Sequence, residues 1–170
     1  MKYSKEQTKE LLLKIEISLR EYLLKHNIND PILIGIHTGG VWVADWLQKT
    51  MGFKGKAASL NISFHRDDYS KVGVNPGVEP TEMPVSVDDK HIILVDDVLF
   101  TGRTTRAAIN EIFDFGRPLS VTLVVLVERN GKELPISADI AGEILELENG
   151  KDIKLLGPEP MLLEITDKET

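Results

Sequence analysis

The chain has 170 residues, of which 42% are hydrophobic and 28% charged, a formal net charge of −7 and no cysteine. This composition is typical of one globular domain, while the acidic balance disfavours broad nucleic-acid binding and the lack of cysteine excludes a disulfide framework or a Cys-ligated zinc site. No apolar run approaches the roughly 20 residues that span a bilayer, and the N-terminus has no apolar leader core, so we expect a cytoplasmic protein that does not enter membranes.

The predicted secondary structure alternates between helices and short apolar strands. Ser4 and Gln7 form a capping box, and the helix that follows carries apolar residues at helical spacing until about Asn27. Residues 31–36 are wholly apolar, which indicates a strand buried on both faces. The remaining expected elements are strands over 57–64, 91–95 and 120–127, helices over 41–51 and 104–115, and a β-hairpin over 143–156 that turns at Asn149-Gly150.

Apolar strands that alternate with helices predict right-handed βαβ units and therefore a mainly parallel central sheet flanked by helices. We expect an α/β fold in which residues 1–170 form a single domain, with a core over about 31–139 and a small C-terminal hairpin or hood over about 140–170. Residues 65–90 form a long connection rich in Gly and Pro. Connections of this length inside a domain are usually functional or mobile.

The residues most informative about function follow the apolar run 92–95. Asp96 and Asp97 come directly after this run, and Thr101-Gly102-Arg103-Thr104 begins the next helix. In a parallel sheet both groups lie beyond the carboxyl end of a strand, where ligands gather. A helix start favours phosphate through its free N–H groups and dipole, and the carboxylates can accept hydrogen bonds from ribose hydroxyls. The pattern indicates a site for a phosphorylated ribose, and it is not a Walker loop.

Two further segments suit the same chemistry. Thr38-Gly39-Gly40 follows the first buried strand, and consecutive glycines expose N–H groups that can surround an anion. The charged segment 63–70 opens the long connection and contains Arg66. We expect both segments near the carboxyl edge of the sheet, beside the acidic pair.

Residues 92–104 read Ile-Ile-Leu-Val-Asp-Asp-Val-Leu-Phe-Thr-Gly-Arg-Thr. This resembles the signature with which type I phosphoribosyltransferases bind 5-phosphoribosyl-1-pyrophosphate (PRPP). The wider resemblance is to the PyrR family of pyrimidine-operon attenuation regulators and uracil phosphoribosyltransferases, and it covers about residues 34–139. The matching stretches are Gly35–Gly40, Arg66–Ser70, Val95–Ala108, Gly116–Pro118 and Glu133–Ile136.

The resemblance implies a role for each part of the site. Asp96 and Asp97 are expected to bind the ribose hydroxyls and to be catalytic together with Arg66, which neutralises the leaving pyrophosphate. The full set expected to bind PRPP is Thr38, Gly39, Gly40, Asp96, Asp97, Val98, Leu99, Phe100, Thr101, Gly102, Arg103, Thr104 and Thr105. Within it, residues 38–40 hold the pyrophosphate and residues 101–105 the 5′-phosphate. Metal ligands are not assigned, because Mg²⁺ is expected to arrive on PRPP and pyrophosphate.

The resemblance also implies the reaction, which converts uracil and PRPP into UMP and pyrophosphate, in a dimer or larger homo-oligomer. Two alternatives stay open: an RNA-binding attenuation regulator with little enzyme activity, and a phosphoribosyltransferase for another base such as a purine. The chain departs from the family at Gly39 and Ser137, where arginine is usual, and at Glu143, where lysine is usual. These changes remove positive charge, so we expect RNA binding to be weak.

Overall fold

The computed structural model describes residues 2–62, 81–83 and 86–168. The helices are α1 (Lys5–Lys25), α2 (Gly39–Thr50) and α3 (Arg103–Phe115), and the strands are β1 (Ile32–Ile36), β2 (Ala58–Leu60), β3 (His91–Leu99), β4 (Ser120–Arg129), β5 (Ile140–Leu145), β6 (Lys151–Leu156) and β7 (Leu162–Asp167). In this part of the chain, no helix is long and apolar enough to cross a membrane.

Strands β1 to β5 form one sheet in the order β2-β1-β3-β4-β5, and every neighbouring pair is parallel. Successive side chains of the central strand β3 point to opposite faces. Ile93 and Val95 pack in a cluster with apolar residues of α1 and α2, whereas Ile92 and Leu94 pack in a second cluster with Ala108 of α3. The sheet therefore has helices on both faces, which confirms the predicted α/β fold.

Helix α1 forms as its sequence predicts. The Ser4 hydroxyl accepts a hydrogen bond from the Gln7 N–H at 3.1 Å, and the Gln7 amide oxygen accepts one from the Ser4 N–H at 2.8 Å, so the capping box is complete. This arrangement satisfies two backbone donors that the helix leaves without an internal partner. Leu12, Ile15 and Leu19 then point into the core from one face of the helix.

The predicted hairpin over 143–156 is wrong. Asn149-Gly150 does form a turn, but the strands on its two sides belong to different sheets. β5 pairs in parallel with β4, with Ala141 beside Val125. β6 pairs instead with β7 in a separate antiparallel sheet, which we call the C-terminal hairpin. β5 pairs with the long, apolar strand β4 rather than with β6. A turn signal in the local sequence does not indicate which distant strand will pair with it.

Several element boundaries also differ from the prediction, and two of them lie at the site. β3 continues through the acidic pair to Leu99, and α2 begins at Gly39, so the glycine pair forms the first turn of this helix. β2 ends at Leu60, and only residues 57–62 of the predicted strand 57–64 are described.

Candidate functional site

A cavity of about 880 Å³ opens where β3 meets the N-termini of α2 and α3. The lining residues from the α/β core, which we call the core wall, are Thr38, Gly39, Trp42, Asp96, Asp97, Val98, Phe100 and Thr104. The remaining ones, which we call the hairpin wall, are Asp152, Ile153, Lys154, Leu155, Glu164, Thr166, Asp167 and Lys168. The predicted carboxyl edge of the sheet thus forms one side of an open cavity, and the C-terminal hairpin forms the other side.

The acidic pair lies near the carboxyl end of the central strand β3, and its two members differ in environment. Asp96 is 4% exposed, and its carboxylate accepts a hydrogen bond from the Asp97 N–H at 2.9 Å. Asp97 is only half-buried and lines the cavity. Asp97 is therefore the more accessible of the two carboxylates to a ligand, while part of the hydrogen-bonding capacity of Asp96 is used by the backbone.

The two glycines of α2 let the helix start directly against the acidic pair. A Cβ on Gly39 would lie 2.3 Å from Oδ2 of Asp97, and a Cβ on Gly40 would lie 2.5 Å from the carbonyl oxygen of Val95. Any larger residue at position 40 would have to displace backbone. This close approach places the positive end of the α2 dipole beside the cavity, which favours an anion there.

The turn before α3 presents a second helix N-terminus to the same cavity. Gly102 caps the helix with φ of 92°, a left-handed conformation that favours glycine. The Thr101 hydroxyl accepts a hydrogen bond from the Arg103 N–H at 3.2 Å, and Thr104 lines the cavity. The first turn of a helix has N–H groups without partners inside the helix, so this turn can surround a phosphate.

Residues 133–136 brace this turn from outside the cavity, a role that the sequence reasoning missed. The Thr101 carbonyl accepts hydrogen bonds from the N–H groups of Glu133 and Leu134 at 3.0 and 3.1 Å. The Arg103 guanidinium forms an ion pair with Glu133 at 2.7 Å. In the sequence, the one indication that this segment matters was that Glu133–Ile136 resembles the family, and that resemblance assigned no role to these residues.

The residues predicted to bind PRPP divide into three groups by position. Seven line the cavity, namely Thr38, Gly39, Asp96, Asp97, Val98, Phe100 and Thr104. Leu99, Thr101 and Thr105 are at most 8% exposed and pack beneath the turn that precedes α3. Arg103 is paired with Glu133, Gly40 lies in the first turn of α2 against the backbone of β3, and Gly102 caps α3. Arg66 lies outside the described residues.

Arg129 and Gly157 both help to hold the C-terminal hairpin over the core wall. The Arg129 guanidinium at the end of β4 stacks 4.1 Å from the centre of the Phe100 ring and forms an ion pair with Asp152 of β6 at 3.1 Å. In the β6–β7 turn, Gly157 packs on the Trp42 ring so closely that a Cβ would lie 2.7 Å from it. A small C-terminal hairpin or hood was predicted for about 140–170, but the sequence carried no motif there, so none of the residues of the hairpin wall was predicted to line the site.

Comparison with known proteins identifies the family. The family model "Phosphoribosyl transferase domain" matches residues 6–158, which extends the similarity well beyond 34–139 at both ends. "Bifunctional protein PyrR" of Nitrosococcus oceani is 50% identical over 91% of this chain and 89% of its own length, and "Bifunctional protein PyrR" of Pseudomonas paraeruginosa is 48% identical over 91% of each chain.

A solved structure supports the fold. The purine phosphoribosyltransferase from Pyrococcus horikoshii superposes with a TM-score of 0.60 at 19% identity, covering 85% of this chain and 89% of its own. At 19% sequence identity the superposition supports the fold and says nothing about the substrate. The family match and the two relatives, however, leave no ambiguity, and the chain belongs to the PyrR family of type I phosphoribosyltransferases.

Proposed function

We propose that this phosphoribosyltransferase transfers the 5-phosphoribosyl group of PRPP to uracil, giving UMP and pyrophosphate. The observation that carries the proposal is the core wall, where Asp97 and the N-terminal turns of α2 and α3 meet in one cavity. A ribose phosphate that carries a pyrophosphate needs two anion sites and a sugar site between them. The carboxylate pair between two helix N-termini supports that assignment.

Each part of the core wall has a proposed role. Asp96 and Asp97 accept hydrogen bonds from the ribose hydroxyls and stabilise positive charge that develops on the sugar ring. The turn 101–105 binds the 5′-phosphate, and residues 38–40 bind the pyrophosphate with help from Arg66. When bound, Mg²⁺ carried on the oxygens of PRPP supplies positive charge at the leaving group.

The reaction then requires little covalent participation by the protein. The bond between C1′ and the pyrophosphate oxygen breaks and pyrophosphate leaves, N1 of uracil bonds to C1′, and the N1 proton passes to solvent. Orientation of the two reactants and electrostatic stabilisation of an oxocarbenium-like transition state provide most of the rate in such a site. The core wall offers both, since its carboxylates face the sugar and its helix termini face the phosphates.

We also propose an arrangement for the chain as a whole. Residues 1–170 act as one domain in the cytoplasm, with a core over about 31–139 and a C-terminal element over about 140–170, of which the covering part begins at β6. The resemblance to PyrR proteins supports a homo-oligomer. Light scattering coupled to size-exclusion chromatography tests this, and a monomer at micromolar concentration would contradict it.

The base is tested by release of pyrophosphate. The protein is incubated with PRPP, Mg²⁺ and one base at a time: uracil, cytosine, adenine, guanine or hypoxanthine. We expect pyrophosphate and UMP with uracil, and no release above the base-free control with the others. Turnover with a purine and not with uracil would replace this proposal with the purine alternative, and no turnover with any base would contradict it.

A further inference from the structure

Arg129 is a buried cation at the end of β4. It is 6% exposed, and its Nη1 lies 3.1 Å from Oδ1 of Asp152, the second residue of β6. Among the residues that the structure describes, its Nε–H has no hydrogen-bond acceptor. Burial of a charged group with one donor unsatisfied costs free energy, and a buried ion pair is often no more stabilising than apolar side chains of similar volume. Stability alone therefore does not explain an arginine at this position.

The two side chains that Arg129 contacts both line the cavity, and they belong to opposite walls. Asp152 is part of the hairpin wall and Phe100 is part of the core wall. The guanidinium lies 4.1 Å from the centre of the Phe100 ring, well within the range in which a cation is attracted to an aromatic face. The Lys168 ammonium, directly after β7, lies 5.0 Å from the centre of the same ring. Both strands of the hairpin are thus linked to Phe100, one of them through Arg129.

The two partners of Arg129 are also held in place by their own surroundings. Oδ1 of Asp152 accepts a hydrogen bond from the Ile153 N–H at 3.0 Å. The Phe100 ring packs so closely on Gly131 that a Cβ there would overlap it. Since neither side chain can turn away freely, the guanidinium between them fixes how far apart the two walls stand.

From these contacts we propose that Arg129 is a positioning residue for phosphoribosyl transfer. It sets the spacing between the core wall and the hairpin wall, and thereby the orientation in which the two reactants meet. The inference rests on the proposed function, because it takes PRPP and uracil as the reactants.

PRPP itself is assigned to the core wall and to the turn at 101–105, and that turn is braced without Arg129. The Thr101 carbonyl accepts hydrogen bonds from the N–H groups of Glu133 and Leu134. Loss of the guanidinium should therefore leave most of the binding of PRPP intact. It should act on the transfer step, where a small misplacement of the reactants is costly.

The first test is steady-state kinetics with PRPP and uracil. Arg129→Met removes the guanidinium but keeps an unbranched apolar side chain, and Asp152→Asn breaks the ion pair from its partly exposed end. We expect Arg129→Met to lower kcat about tenfold or more with KM for PRPP within about threefold of the wild type, and Asp152→Asn to cause a smaller loss of the same kind. The matched control Arg117→Met, at an exposed site, should stay within about twofold.

A double-mutant cycle shows whether the two residues act through one contact. Arg129→Met/Asp152→Asn should be no less active than Arg129→Met alone, because the pair is already broken in the single variant. Losses that multiply in the double variant would overturn the proposal, and so would wild-type kcat in Arg129→Met or a loss confined to KM. If Arg129→Met does not fold, Asp152→Asn carries the same comparison.

Trp42 reports the position of the hairpin without any turnover. Its ring lines the cavity and packs against Gly157 of the hairpin, and Trp46→Phe leaves it as the one tryptophan of the chain. In that background, acrylamide should quench Trp42 fluorescence more strongly after Arg129→Met and equally after Arg117→Met, with the far-UV circular dichroism unchanged.

Unchanged quenching after Arg129→Met would contradict the positioning role even if activity were lost. A wild type that turns over PRPP with no base refutes the proposed function. The quenching result then still decides whether Arg129 sets the spacing of the two walls.

Discussion

The carboxylate of Asp97 occupies the space in which a side chain at position 39 would begin. A Cβ on Gly39 would lie 2.3 Å from Oδ2 and 2.5 Å from Cγ of Asp97, whereas a Cβ on Gly40 would meet backbone, with the Val95 carbonyl oxygen at 2.5 Å. A carboxylate can rotate away from a new methyl group, but a strand backbone cannot move without disturbing the sheet. The two adjacent glycines should therefore respond differently to substitution.

We predict that Gly39→Ala lowers kcat/KM for PRPP by at least about tenfold while leaving the melting temperature nearly unchanged, since it displaces the Asp97 carboxylate from the ribose. Gly40→Ala should instead destabilise the fold by about 1–3 kcal/mol. Steady-state kinetics and thermal unfolding of both variants check this contrast. Full activity in Gly39→Ala would show that the position of Asp97 is not set by this contact.

The N-terminal residues hold β5 and β7 together. The Tyr3 hydroxyl donates a hydrogen bond to Oε2 of Glu143 at 2.9 Å, and the Tyr3 N–H donates to the Leu163 carbonyl at 2.9 Å. The pKa of Tyr3 is raised to about 12, mainly by burial and in addition by the hydrogen bond to Glu143 and the negative charge of that residue. Because this pKa is higher in the folded state than in the unfolded chain, the folded state favours the neutral phenol.

The stabilisation by Tyr3 should be fully present below pH 10, the ordinary pKa of tyrosine, and be lost as the pH rises toward 12. We predict that Tyr3→Phe is less stable than the wild type by about 1 kcal/mol at pH 8, the typical net value of one hydrogen bond. The difference should shrink between pH 9 and 11 in urea unfolding curves. A constant difference over that range would contradict the raised pKa.

Basic residues that could contact RNA are scarce in residues 128–148, and those present form ion pairs with acidic side chains of the protein itself. The segment contains Arg129 and Lys132 against six acidic residues. Arg129 is 6% exposed and paired with Asp152. Lys132 is paired with Glu128 and donates a hydrogen bond to the Ser137 hydroxyl at 3.0 Å. Phosphate neutralisation supplies most RNA affinity, and here little charge is left for it.

We predict that a hairpin from the pyrimidine leader of the same organism binds more weakly than about 1 μM at physiological salt, with or without UMP. The double variant Ser137→Arg/Glu143→Lys adds positive charge to this segment and should bind more tightly, with a steeper dependence on salt. Fluorescence anisotropy over a range of KCl concentrations measures both. Submicromolar binding by the wild type that UMP strengthens would favour the regulator alternative.

Local signals predicted most of the fold correctly. Ser4 and Gln7 mark the start of α1, and the apolar runs of β1, β3 and β4 form the central parallel strands because they are buried on both faces. The failure came at β5, whose pattern of alternating burial suits a hairpin as well as a parallel edge strand. The sequence near Asn149-Gly150 specifies a turn but cannot specify which strands pair across it.

The site was predictable on one side only. Asp96, Asp97 and the turn at Thr101–Thr104 carry a recognisable order of residue types, so the core wall could be proposed from the sequence. The hairpin wall depends on a fold-back that brings residues 152–168 over the core, through contacts such as Arg129 with Phe100.

The most direct test of the account is the activity of Asp97→Ala with PRPP and uracil. Asp97 lines the cavity, half-buried, so its loss should remove ribose binding without leaving a large void. We predict that kcat/KM falls by about a hundredfold or more, as is typical of losing one oriented electrostatic group, while the melting temperature stays near that of the wild type. Asp114→Ala, at an exposed site on α3, should keep full activity. Near-wild-type turnover in Asp97→Ala would contradict the assignment of this cavity to PRPP.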